Sequence, residues 1–198
     1  MNMKKLFILL LMAVAFCGSA EAQLWDNSKP DQNFTFGLRA GANISSTSKS
    51  MYGNSLISFH AGFNANINIV KSFSLETGLF YSGKGGRNRG YDDKWKCQSI
   101  QIPVLANYKY PVSKNSEIQL KGGGYIAYMH IEEPESLYVD KKSIIDCGVI
   151  IGTGVSFYRR FYLGIQYEHG FMDMINDSRG KYGEAHSRNI AISLGYDF

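Results

Sequence analysis

The chain is predicted to fold as an all-β, eight-stranded, antiparallel up-and-down transmembrane β-barrel. Three observations carry that expectation. The N-terminus has the form of an export signal, eight later segments alternate apolar with polar residues, and the connections between them alternate short with long. In an extended chain successive side chains point to opposite faces, so each alternating segment is oily on one side and wet on the other.

The chain opens with Met1-Asn2-Met3-Lys4-Lys5, continues with the apolar run Leu6 to Phe16, and ends this region with Gly18-Ser19-Ala20-Glu21-Ala22. A basic start, a short apolar run and a small-x-small end describe a secretory signal peptide, with cleavage expected after Ala22. Phe16 stands before Cys17 where a lipoprotein signal has a small residue, so lipidation is not expected. The domain reading is therefore a signal peptide at 1–22, a polar periplasmic tail at 23–33 and the barrel at 34–198. Charged residues make up only 19% of the 198 residues, against about 25% in soluble domains. A net charge of +4 is too mild to imply nucleic acid. After the signal no apolar run is long enough to span a membrane as a helix, and a closed barrel is the other structure that satisfies every backbone hydrogen bond there.

The strands are read in order. Phe34 to Ser45 puts Phe34, Phe36, Leu38 and Ile44 outward and Arg39 and Asn43 inward. Ile57 to Ile69 is the clearest, with apolar residues at every odd position and Ser58, His60, Asn64, Asn66 and Asn68 among the even ones. Phe73 to Ser82 turns Leu75 and Leu79 out and Glu76 in. Gln98 to Tyr110 turns Ile100, Ile102 and Val104 out and Gln101, Asn107 and Lys109 in; Pro103 donates nothing to a ladder, so a bulge is expected there. Glu117 to His130 carries Gln119 and Lys121 inward, and its Gly122-Gly123-Gly124 is expected to mark a sharp bend. Ile144 to Phe157 sets Ile145, Cys147 and Val149 against Asp146. Phe161 to Phe171 sets Leu163 and Ile165 against Gln166 and Glu168. Arg188 to Phe198 sets Ile190, Ile192 and Leu194 against Asn189, Ser193 and Asp197.

Short turns around Val70-Lys71-Ser72, Pro111 to Ser116 and Tyr158-Arg159-Arg160 alternate with loops read as roughly ten to sixteen residues, the pattern of outer-membrane barrels with short periplasmic turns. Outward aromatics gather near both strand ends, as two interfacial girdles would. Eight strands enclose an interior that side chains can fill. The charges that must share it are Arg39, Lys109 and Lys121 with Glu76, Asp146, Glu168 and Asp197. Unpaired they would be prohibitively costly, so a cross-lumen polar network is expected, with inward glycines making room for it.

The loop Gly83 to Cys97 carries Lys84, Arg87, Arg89, Lys94, Trp95 and Lys96 and reads as a surface interaction loop, for lipopolysaccharide phosphates or an acidic partner. The plainer reading pairs it with the acidic loop Ile131 to Lys142. Cys97, placed in that loop, and Cys147, on a strand, are expected not to be bonded. No catalytic, cofactor-binding or metal-ligating residue is assigned. His169, Asp173, Asp177, Ser178, His186 and Ser187 cluster near the last outer loop only as any solvated loop would, and His60, His130 and Asp146 share no ligand spacing.

Three segments carry a family resemblance: Phe36-Gly37-Leu38-Arg39-Ala40-Gly41-Ala42-Asn43-Ile44-Ser45, Leu75 to Gly86 with its Tyr81-Ser82-Gly83-Lys84-Gly85-Gly86 end, and Ile100-Gln101-Ile102-Pro103-Val104-Leu105. Together they resemble the PorT-like outer-membrane barrel proteins of Bacteroidetes. The resemblance implies an outer-membrane location and, from the family's namesake, a part in protein secretion; it brings no catalytic residues. Tyr196 and Phe198 look like the terminal signal read by the barrel-assembly machinery. The expected protein is a monomeric, non-enzymatic barrel with a structural or interaction role, without cofactor, surrounded by outer-membrane lipid and lipopolysaccharide. A small-ligand or narrow transport barrel, and a lipid-modifying enzyme, are the alternatives.

Overall fold

The computed structural model describes residues 26–47, 54–87, 94–132, 143–173 and 186–198, so the expected signal peptide lies outside the described residues. Eight strands follow one another: β1 (Phe34–Thr47), β2 (Asn54–Val70), β3 (Phe73–Arg87), β4 (Lys94–Ser113), β5 (Ser116–Glu132), β6 (Ser143–Phe157), β7 (Phe161–Asp173) and β8 (His186–Asp197). Each pairs antiparallel with the next, and β8 closes the ring on β1 from Gly37↔Asp197 to Thr47↔Ser187. Closure leaves no free edge, which is what a strand structure in hydrocarbon requires.

The face assignments follow the sequence parity. Ile57, Ile145, Ile151 and Leu194 lie outward with more than three fifths of their surface exposed, while Asn43, Asn64 and Asn107 are buried inside. A soluble protein does not leave a belt of this size bare; here lipid is its solvent. Aromatic pairs bound the belt, Phe59 with Tyr81 (5.5 Å) at the outer end and Phe161 with Tyr196 (5.4 Å) at the periplasmic end.

Two local expectations are corrected. Pro103 makes no bulge: it pairs with Tyr125 in a β4–β5 ladder that keeps one register from Lys96↔Glu132 to Pro111↔Glu117. On the β3 side the pairing skips from Thr77 to Phe80, and the Thr77 hydroxyl donates to the Pro103 carbonyl at 2.9 Å. The missing N–H is absorbed by a gap in one ladder. Gly122-Gly123-Gly124 does not interrupt β5, for all three pair in register with β4 and β6. A Cβ at Gly123 would run into the Val104 carbonyl, so this glycine serves close strand approach. The outer connections are also shorter than read. β3 and β4 pair up to Arg87↔Lys94, reducing their connection to residues 88–93. Gly83 and Gly85 continue the ladder without an outward side chain, so the alternation fades in the sequence while the backbone pairing goes on.

Candidate functional site

Two layers of side chains fill the lumen. In the lower layer Arg39 pairs with Asp197 (2.7 Å) and Lys121 with Glu76 (2.6 Å), and both cations stand 4.3 Å from the centre of the Tyr162 ring, one guanidinium and one ammonium sharing its π faces. In the upper layer Lys84 pairs with Glu168 at 2.9 Å and lies 4.8 Å from the Tyr125 ring centre. Gln101, Gln166 and Asn189 donate further hydrogen bonds to Glu168. These are charge-assisted contacts in a confined interior, where a lone charge would be severely penalised.

Glycines shape the layers. Gly62 and Gly78 face the Phe80 ring, Gly148 lies against Tyr125, and Gly154 and Gly164 flank Tyr162; a Cβ at Gly154 would fall 2.5 Å from that ring. Each large ring therefore faces a residue without a side chain on a neighbouring strand, as in the register pairs Phe80↔Gly62 and Tyr125↔Gly148.

The network differs in membership from the one expected. Lys84 is not on a surface loop. It continues the even-numbered inward face of β3 beyond Glu76 and Ser82, and only 1% of it is exposed. Cys97, its register partner on β4, likewise faces the lumen and not a loop. No disulfide joins it to Cys147. Asp146 has no ion pair among the described residues: it accepts from the Tyr125 hydroxyl (2.8 Å) and the Met172 N–H (3.3 Å). Lys109 donates to Asn68 Oδ1 at 2.8 Å near the periplasmic mouth. Of the remaining basic-loop residues, Arg87, Lys94 and Trp95 belong to strands, with side chains outside the description. Lys96 is exposed on β4, and Arg89 lies outside the described residues. Tyr196 and Phe198 stand on the outward periplasmic rim, their rings 6.3 Å apart.

His60, Asn43 and Ser193 form an arrangement the sequence did not single out. Asn43 Nδ2 donates to Ser82 Oγ and the Gly83 carbonyl, so its Oδ1 is left to accept from His60 Nδ1 at 2.8 Å. His60 Nε2 then accepts from the Ser193 hydroxyl at 2.9 Å. This is the connectivity of a hydrolytic relay. All three residues are buried in the lumen, however, and the cavity beside His60 is about 30 Å³, the room of roughly one water. No metal-ligating cluster occurs among the described residues: His60 points into the lumen while His130 approaches Ser143 at the outer rim. His169 and His186 do meet, ring to ring at 6.1 Å; Asp177 and Ser178 lie outside the described residues.

At the periplasmic end the tail is folded against the barrel. Backbone bonds join Asn68 to Asn33 and Lys71 to Ser28, and the Asp26 N–H donates to Ser72 Oγ at 2.8 Å. Hydrogen bonds from Ser28 hold the Asp26 carboxyl below the usual carboxylate range.

A closed eight-stranded barrel with a bare apolar belt, girdled by aromatics and packed inside with ion pairs, defines an outer-membrane barrel protein. The chain belongs to the outer membrane protein beta-barrel domain family, whose model matches residues 22–176. Neisserial surface protein A has a similar solved structure, with a TM-score of 0.54, 15% identity, and coverage of 84% of this chain and 100% of that one. OprG from Pseudomonas aeruginosa (TM-score 0.49, 13% identity, 88% and 99% covered) and Ail of Yersinia pestis (0.45, 11%, 84% and 100%) are also similar. No curated protein matches the sequence.

Proposed function

We propose that this barrel is a sealed scaffold of the bacterial outer membrane, belonging to the PorT-like branch and acting by contact. It is exported through a signal peptide cleaved after Ala22, inserted by the barrel-assembly machinery, and surrounded as a monomer by lipid and lipopolysaccharide. Its outer hairpins, Lys96 included, supply contacts within a secretion or envelope complex. The observation that carries this reading is the lumen: three ion pairs, two of them gripping Tyr162, occupy the space a solute would need. The burial of Ser193 and His60 in the lumen likewise supports a non-enzymatic reading.

Swelling of proteoliposomes in small sugars tests the seal. Vesicles holding the purified barrel should swell no faster than empty ones. Swelling that grows with the amount of protein would replace the scaffold with a transport barrel.

A further inference from the structure

The periplasmic mouth holds a second feature, independent of the plug except for its floor. Residues 26–33 run across the opening, and Asp31 reaches two turns on opposite sides of the ring. Its carboxylate lies 2.6 Å from Arg159 in the β6–β7 turn and 3.9 Å from Lys71 in the β2–β3 turn. Beneath this strap is a cavity of about 720 Å³, a size within the roughly 300–1,000 Å³ of small-molecule sites.

The β6–β7 turn is built against its own backbone preference. Tyr158 and Arg159 both adopt left-handed conformations (φ 52° and 56°), and Arg160 N–H closes the turn on the Phe157 carbonyl at 3.0 Å. Two consecutive left-handed residues define the tight hairpin turn in which Asn-Gly is the favoured pair, because larger side chains clash there. Tyrosine and arginine at those positions sacrifice turn stability, and both line the cavity. Local rules broken in this way mark sites held for function.

The chemistry of the lining narrows the ligand. Acidic and basic residues line the cavity in equal number, and Asp31, Lys71, Arg159 and Asp197 are already engaged in ion pairs, so a strongly charged ligand would have to break an existing balance. The other four charged groups have neutral partners: Asp26 accepts from Ser28 and Glu117 from Gln119, while Lys109 donates to Asn68 and Arg160 to the Tyr196 hydroxyl. Asn66 lines the cavity, is 4% exposed, and its Oδ1 has no partner, a cost that a ligand hydroxyl or a water would relieve. Gln119 and Ser156 stand on the same floor, already joined by a hydrogen bond from Gln119 Nε2 to Ser156 Oγ at 2.7 Å, and Tyr158, 69% exposed, lines the same cavity. A peptide strand has no edge to pair with, since the ladders close on themselves.

We infer that the vestibule is a binding site for an uncharged, polyhydroxylated ligand, the end of a glycan, whose apolar ring face rests on Tyr158 and one of whose hydroxyls donates to Asn66 Oδ1 beside the Gln119 amide. The test uses the purified barrel with its N-terminal tail in detergent micelles, titrated with chitotriose, maltotriose, trialanine and inorganic phosphate. At least one trisaccharide should shift the side-chain amide resonances of Asn66 and Gln119. The double variant Tyr158→Asn, Arg159→Gly should weaken that binding tenfold or more while keeping or raising the urea midpoint, because it installs the preferred turn. Tyr158→Phe should retain binding. Overturning results are the absence of a shift with either sugar, equal binding by the double variant, or shifts produced by phosphate or trialanine in place of sugar.

Discussion

Replacing Lys84 with methionine should lower the unfolding free energy of the barrel by about 3–5 kcal/mol, the cost of stranding a buried charge. The Glu168 carboxylate would keep Gln101, Gln166 and Asn189 as donors but lose its cation at 2.9 Å. Adding Glu168→Gln to the same chain should recover most of the loss, since neither charge then remains, and the cycle of single and double variants isolates the coupling. Urea unfolding in lipid vesicles measures it. A single variant as stable as the parent would mean that water, and not Lys84, neutralises Glu168, and that the lumen is looser than its packing indicates.

An arginine in place of Ile192 should cost about 2–4 kcal/mol, the penalty of a lipid-facing cation near the bilayer midplane. Ile192 is 44% exposed in the middle of β8, so in a soluble sheet the same change would fall within about 0.5 kcal/mol of neutral. Val112, 59% exposed at the periplasmic end of β4, provides the contrast: arginine there should cost about 0–1 kcal/mol. The same unfolding assay reads both. Equal costs at the two positions would remove depth from the explanation.

The sequence makes one face of every strand readable because lipid demands continuous apolarity there, and a single period of two is enough to see it in Ile57 to Ile69. The inside is less legible. Arg39, Glu76, Lys121 and Glu168 could be placed by parity, but their partners depend on the stagger between strands, which no residue states. Lys84 was missed because glycines on either side erase the alternation; continuing the parity of Glu76 and Ser82 by two positions would have found it. Phe80, Tyr125 and Tyr162 went unread because aromatics were expected outside, although an inward glycine on a neighbouring strand faces each of them. The His60 relay joins the neighbouring strands β8, β1 and β2 through residues far apart in the chain and leaves no local signature. The vestibule could not be seen either, because Gln23 to Asn33 reads as a loose polar tail until Asp31 is found bridging two turns.

Spin labels placed one at a time at Ile190, Ile192 and Leu194, after Cys97 and Cys147 are replaced by serine, examine the outer face directly. In bilayers all three labels should collide readily with dissolved oxygen and hardly at all with a polar nickel chelate, while a label at Lys114 in the β4–β5 turn shows the reverse. Labels on β8 that meet neither reagent would mean packed protein covers this face, and labels open to nickel would mean water does; either would contradict a barrel whose apolar belt is solvated by lipid.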